Sequence, residues 1–247
     1  MSKKYKGKTC VYCAVPGVSQ EGEHVIAREF FLVEHRNNLP KVPACRNCNK
    51  DKSDLEHYLL SVLPFGGRQA QSSEVVTTMV PKRLAKNTKL ALALKEGTRT
   101  FLTWNSGGHW DQVLTLPFDS ARLTALFEFM AKGLAYWHWN VLLPKETCYV
   151  KAGFVNALGA KMFERVLSLK TPQRVKENLG NGTFIYEGVQ MPEKPQFTLW
   201  RMSFYGNAVV GGDPKAPTET CSEAYIVTAP GDMETAEKLL QMLAVPS

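Results

Sequence analysis

Four cysteines near the N-terminus have the spacing of metal ligands. They form two Cys-x-x-Cys pairs, Cys10 with Cys13 and Cys45 with Cys48, about thirty residues apart. Two such pairs can bring four thiolates to one tetrahedral zinc ion, which then has no open position and is structural. In a reducing compartment, paired cysteines indicate metal binding rather than disulfides. A redox-active cysteine pair is the alternative interpretation.

Side chains suited to the hydrolysis of a phosphodiester lie between and just after these pairs. Glu23 and His24 are adjacent, and Asn49 directly follows the last cysteine. An imidazole titrates near neutral pH and can act as a general base, whereas carboxylate and amide oxygens suit Mg²⁺ or Mn²⁺. Consecutive strand residues point to opposite faces, so the spacing alone does not bring Glu23 and His24 into one site. Asn49 has a second interpretation, as the cap of the helix that follows.

A basic cluster of Arg46, Lys50 and Lys52 surrounds the last cysteine. Lysines after a cysteine pair commonly meet phosphate, so we predict that these three side chains bind nucleic acid. Ordinary exposed charges are the alternative. His57, two helical turns beyond Asn49, either lines the same site or is solvated.

These motifs resemble the HNH endonucleases of the zinc-containing ββα-metal type. The resemblance covers roughly the first quarter of the chain. It is carried by Cys10-x-x-Cys13, Glu23-His24-Val25-Ile26 and Cys45-x-x-Cys48-Asn49-x-x-Lys52-Ser53.

The resemblance implies that His24 is the general base, that Glu23 and Asn49 hold a catalytic Mg²⁺ or Mn²⁺, and that Lys52 lies near the phosphate. It also implies an asparagine that steadies the loop holding the base. Asn38 is our first candidate and Asn37 the second. The implied activity is cleavage of DNA, in phage defence or mobile-element biology. The alternative is a catalytically inactive, zinc-stabilised module that binds nucleic acid or a protein.

The pattern of apolar residues predicts an α+β protein in two parts. Residues 1–68 are expected to form a zinc-stapled ββα-metal, treble-clef-like HNH domain, with a strand and a turn or short helix over 24–33 and a helix from Asn49 to Pro64. The polar stretch 69–78 is the predicted boundary. Residues 79–247 are expected to form an α+β accessory domain.

The accessory domain is predicted mainly from periodicity and turn signals. We expect helices over 81–94, from 119 or 120 to 137, 153–169 and 233–243, a hairpin over 100–116, and strands over 183–186, 197–205 and 225–228. The aromatic run 136–139 suits core packing, with base stacking as the alternative. Cys148 and Cys221 are expected to be small buried hydrophobes.

Composition favours a polyanionic partner without establishing one. The 247-residue chain has a net charge of +7 and a pI near 9.1, and DNA is the partner we expect. No apolar run approaches the length of a membrane span, and the basic N-terminus lacks the apolar core of a signal peptide. We therefore expect a cytoplasmic protein that does not contact membranes. A protein partner or a homo-oligomer is left open.

Overall fold

The computed structural model describes residues 4–104, 107–155, 157–169, 173–209 and 222–244. The strands are β1 (Glu21–His24), β2 (Lys41–Ala44), β3 (Arg99–Trp104), β4 (Trp110–Thr115), β5 (Cys148–Gly153), β6 (Gln173–Leu179), β7 (Phe184–Met191), β8 (Lys194–Phe204) and β9 (Ala224–Pro230). The helices are α1 (Arg46–Val62), α2 (Ala70–Thr78), α3 (Val80–Lys86), α4 (Thr88–Gly97), α5 (Ser120–Trp139), α6 (Ala157–Leu167) and α7 (Met233–Ala244). The predicted α+β class is confirmed at this level.

An antiparallel strand pair followed by a helix opens the fold. β1 pairs with β2, which sets Glu23 opposite Val42 and His24 opposite Lys41. The strand predicted at the start of 24–33 lies earlier, over Glu21–His24, and the turn or short helix predicted after it is present as two 3₁₀ turns, Arg28–Phe30 and Val33–His35. The first of these turns buries Phe30, whereas Val33 in the second is exposed. α1 starts three residues earlier than predicted, since Cys45 is its N-cap.

The stretch predicted as a domain boundary is helical. It carries α2, and the helix predicted over 81–94 is two helices that meet at Asn87. The Asn87 side chain accepts a hydrogen bond from the Leu90 backbone N–H at 3.1 Å, so it caps the start of α4. A new helix therefore begins within the stretch that was predicted as one. The predicted hairpin over 100–116 is present as β3 and β4.

The C-terminal part is built on an antiparallel sheet of five strands in the order β5-β9-β8-β7-β6. α5 buries one side against this sheet and also packs on α1, with Asp119 capping its start and Asn140 its end in the left-handed region. α6 and α7 pack with alternate residues of β8 and β9, such as Leu199 and Val227, in a second and smaller apolar cluster.

The main apolar cluster joins the N-terminal strands to the rest of the molecule. Phe30 packs on Phe204 with ring centroids 4.7 Å apart, and the Tyr205 hydroxyl donates to the Phe30 carbonyl at 2.9 Å. A Cβ on Gly133 of α5 would lie 2.7 Å from a Val25 methyl, so this glycine permits the close approach of α5. The N-terminal unit and α5 therefore share one core, and the division into ranges 1–68 and 79–247 stays a prediction.

The aromatic end of α5 lies partly in this core. Trp139 packs on Trp200 at 4.9 Å between centroids, and the His138 ring is hydrogen-bonded to the Tyr186 hydroxyl at 2.9 Å. These contacts favour core packing over base stacking for this run. Cys148 is buried, as expected, whereas Cys221 lies outside the described residues. Across the described ranges, no helix has both the length and the apolar character needed to span a membrane.

Candidate functional site

The four paired cysteines converge at the start of α1. Their sulfur atoms all lie within 4.8 Å of one another, and the Sγ atoms of Cys13 and Cys45 are 4.0 Å apart. Tetrahedral zinc with Zn–S bonds of about 2.3 Å separates its sulfurs by roughly 3.8 Å. The cluster can therefore hold a metal ion such as zinc, with four thiolates and no position left for substrate.

Local backbone structure brings the two pairs together. The Cys45 N–H donates to the Sγ of Cys10 at 3.3 Å, and the Val11 N–H donates to the Pro43 carbonyl at 3.0 Å. Burial raises the pKa of the Cys13 and Cys48 thiols, whereas backbone N–H groups outweigh burial at Cys10 and lower its pKa. Because zinc binds thiolates, metal binding at this cluster releases protons.

A buried lysine lies on the face of α1 that meets β1. Lys52 is 0% exposed, and its Nζ donates to the Glu23 carboxylate at 3.0 Å and to the His24 carbonyl at 2.8 Å. Its third partner is the carboxylate of Glu56, one turn further along α1. Burial raises the pKa of Glu56 to about 7, with the Lys52 ammonium opposing the shift. The buried Lys52 ammonium therefore links β1 to α1 in the protein interior.

A second polar contact joins the same two elements nearer the cysteines. Asn49 donates from Nδ2 to the Glu21 carboxylate at 2.7 Å. Glu21 and Glu23 are two strand positions apart, so both carboxylates face α1. Asn49 does not cap the helix, since Cys45 has that position. The contact between β1 and α1 therefore holds the carboxylates of Glu21 and Glu23 and the Asn49 amide beside the Lys52–Glu56 pair.

His24 lies at the end of β1, and strand alternation directs it to the face opposite Glu21 and Glu23. Its Nδ1 atom is buried and has no hydrogen-bond partner among the described residues. Burial and, to a smaller extent, the nearby cations Lys41, Arg28 and Lys52 together lower the pKa of His24 to about 4. The imidazole is therefore neutral at pH 7, in electropositive surroundings.

The remaining predicted site residues differ in their exposure. Arg46 and Lys50 are exposed on α1, so both can contact a ligand, whereas the buried Lys52 cannot reach a phosphate without breaking its contacts. Asn38 is exposed at a φ of 58°, a left-handed conformation that asparagine adopts more readily than most residues. Within the described residues, no hydrogen bond joins its side chain to His24. His57 is exposed.

Four residues of this site were not predicted. Glu21 could have been found from its two-residue spacing to Glu23, and Glu56 from its four-residue spacing to Lys52. Lys41 lies opposite His24 in the strand pair, and Arg28 lies in the first 3₁₀ turn; the sequence indicated a strand and a turn there, but not which cations they bring to His24.

Comparison with known proteins gives no match to this chain, whether against family models, curated protein sequences or solved structures. The resemblance to HNH endonucleases therefore depends on the motif residues alone. The fold and site define an α+β protein with a cysteine cluster that can hold zinc.

Proposed function

We propose that this chain is a metal-dependent endonuclease of HNH type, which hydrolyses phosphodiester bonds of DNA. The proposed site is the ββα-metal, treble-clef-like unit formed by β1, β2 and α1. The observation that carries the proposal is the Glu21–Asn49 contact beside the cysteine cluster, because it sets a carboxylate and an amide together on β1, the strand that ends at His24.

The side chains that would hold the catalytic Mg²⁺ or Mn²⁺ are Glu21, Glu23 and Asn49. All three offer the hard oxygen ligands that these ions prefer, and the amide group of Asn49 needs only to turn over to present its oxygen. A bound cation would offset the negative charge that develops on the phosphate. A structural zinc at the cysteine cluster would hold the start of α1, and thereby Asn49, in position.

His24 is the proposed general base. A base must be unprotonated before it can accept a proton from water, and the lowered pKa of His24 meets that condition at neutral pH. Lys41 and Arg28, which lie near the ring, would attract the phosphate, together with the exposed Arg46 and Lys50.

The test is cleavage of supercoiled plasmid DNA with Mg²⁺ or Mn²⁺, comparing the wild type with His24→Ala. Loss of a general base lowers the rate by about 10²–10⁴-fold. His57→Ala is the matched control, since this histidine is exposed on α1 and should be dispensable. Cleavage that survives His24→Ala would reject His24 as the base.

The second candidate is a module that binds nucleic acid or a protein without catalysis. It is favoured by the ion pair of Glu23 with the buried Lys52, which occupies one proposed cation ligand, and by the strand alternation that separates His24 from the carboxylates. Binding of DNA without cleavage in either metal would select a nucleic-acid-binding module. Indifference to DNA at every salt concentration, with a stable protein complex, would select a protein-interaction module.

A further inference from the structure

The β3–β4 hairpin exposes four large apolar side chains on one face. Leu102, Trp104, Trp110 and Leu114 are 64%, 62%, 65% and 57% exposed. They share a face because Trp104 is directly opposite Trp110, and Leu102 and Leu114 lie two and four positions away along their strands. Soluble proteins seldom leave such a group uncovered without a binding role.

The two tryptophans form a pair suited to stacking. Their ring centroids are 5.2 Å apart and their planes meet at 79°, so each indole supports the other while most of its surface stays open. Within the described residues, the sheet formed by β3 and β4 has two strands only. The bases of single-stranded nucleic acid stack on exposed aromatic rings of this kind.

The helices that lead into the hairpin are basic. Residues 79–116 contain six Lys or Arg side chains against two acidic ones. Arg83 is engaged with the backbone carbonyls of Leu60 and Glu29. The other five are exposed, and they are Lys82, Lys86, Lys89, Lys95 and Arg99. This excess of positive charge complements a phosphate backbone and opposes association with a second copy of the same surface.

We propose that the β3–β4 hairpin and helices α3 and α4 bind single-stranded DNA. Bases stack on Trp104 and Trp110, and the lysines of α3 and α4 contact the phosphates. The choice of DNA rests on the proposed function, because an endonuclease must hold its substrate. The binding surface itself lies outside the β1–β2–α1 site and has its own residues.

The tryptophans are tested by fluorescence anisotropy of a labelled oligothymidylate of about twenty nucleotides, sized to span more than one stacking site. The whole 247-residue chain is used, without added Mg²⁺ or Mn²⁺. We expect Trp104→Ala/Trp110→Ala to weaken binding at least about fivefold, the lower end of the effect of losing one stacked base. Trp104→Phe/Trp110→Phe should retain most of the affinity. Trp137→Ala, at an exposed tryptophan of α5, is the matched control and should change little.

The lysines are tested by the salt dependence of the same binding. Lys86→Gln/Lys89→Gln should reduce the slope of log K against log salt by about 1.4, since each phosphate contact on a single strand contributes about 0.7. Lys145→Gln/Lys161→Gln removes two exposed lysines outside this region and should leave the slope unchanged.

Three results would overturn the proposal. The first is that the wild type does not bind the oligonucleotide, and the second is that Trp104→Ala/Trp110→Ala binds it as tightly as the wild type. The third is that the wild type forms a concentration-dependent dimer, that the double tryptophan variant does not, and that the oligonucleotide does not bind. Failure here is distinguishable from failure of the proposed function. If the oligonucleotide binds through the two tryptophans but plasmid is not cleaved, only the nuclease proposal is rejected. If plasmid is cleaved but binding does not depend on the tryptophans, only this binding surface is rejected.

Discussion

Replacement of Lys52 by methionine tests the interior contact between β1 and α1. The change keeps the bulk of a side chain that is 0% exposed but removes the ammonium that pairs with Glu23 and Glu56. Loss of one partner of a buried ion pair costs about 3–5 kcal/mol, because the remaining charge is left uncompensated. For a chain of this size that loss lowers Tm by roughly 6–20 °C. Thermal and urea unfolding at pH 7 measure it.

The loss should depend on pH with a definite sign. Burial already raises the pKa of Glu56 to about 7 with Lys52 present, and removal of the ammonium raises it further. The folded variant therefore retains a proton that the unfolded chain has released above about pH 4.5. Stability must then fall as pH rises, so the deficit of Lys52→Met relative to wild type should be larger at pH 8 than at pH 5.

Two further variants sharpen this experiment. Lys50→Met changes an exposed lysine of the same helix and should stay within about 0.5 kcal/mol of wild type. Lys52→Met/Glu56→Gln removes both charges of the Lys52–Glu56 pair. Because the two side chains interact, the double variant should be more stable than Lys52→Met alone. The reasoning is refuted if Lys52→Met matches the wild type at pH 8, or if its deficit is the same at pH 5 and pH 8.

Three other predictions concern the metal cluster, the histidine and the packing of α5. Cys45→Ser should lower the zinc content measured by atomic emission and destabilise the fold, whereas Cys148→Ser, outside the cluster, should keep full zinc occupancy. NMR titration of His24, without added Mg²⁺ or Mn²⁺, should give a midpoint near pH 4, and stability should fall as pH drops from about 6.5 towards 4 because only the unfolded chain gains the proton. A midpoint at pH 6 or above would contradict its burial. Gly133→Ala should lower the free energy of unfolding by about 1–3 kcal/mol, because the added methyl group overlaps Val25. The higher helix propensity of alanine opposes this loss by about 1 kcal/mol. A neutral or stabilising result would show that α5 can move away from Val25.

The sequence predicted those elements whose stability is encoded locally. α5 has an apolar stripe of regular period, an aspartate cap and an asparagine stop, so its extent follows from neighbouring residues. β6 could not be found in this way. Its sequence is mostly polar, and it forms because it pairs along one edge of the sheet with β7, a contact that local patterns do not encode.

The candidate site was predictable to a similar extent. The spacing of the cysteines was sufficient to indicate a cluster at one point, because Cys-x-x-Cys pairs constrain their own geometry. The burial of Lys52 was not predictable, since a lysine in the first turns of a helix usually faces water. Only the pairing of β1 beside α1 brings Glu23 to it and makes burial of the amine tolerable.

The close approach at Gly133 bears on whether the N-terminal unit can be separated from the chain. Val25 immediately follows His24 in sequence, and the backbone of α5 passes against its methyl groups where any larger residue would intrude. A fragment that ends before α5 would expose Val25, the residue next to His24, to solvent. Transfer of β1, β2 and α1 to another protein would therefore require a second segment that covers Val25 in place of α5.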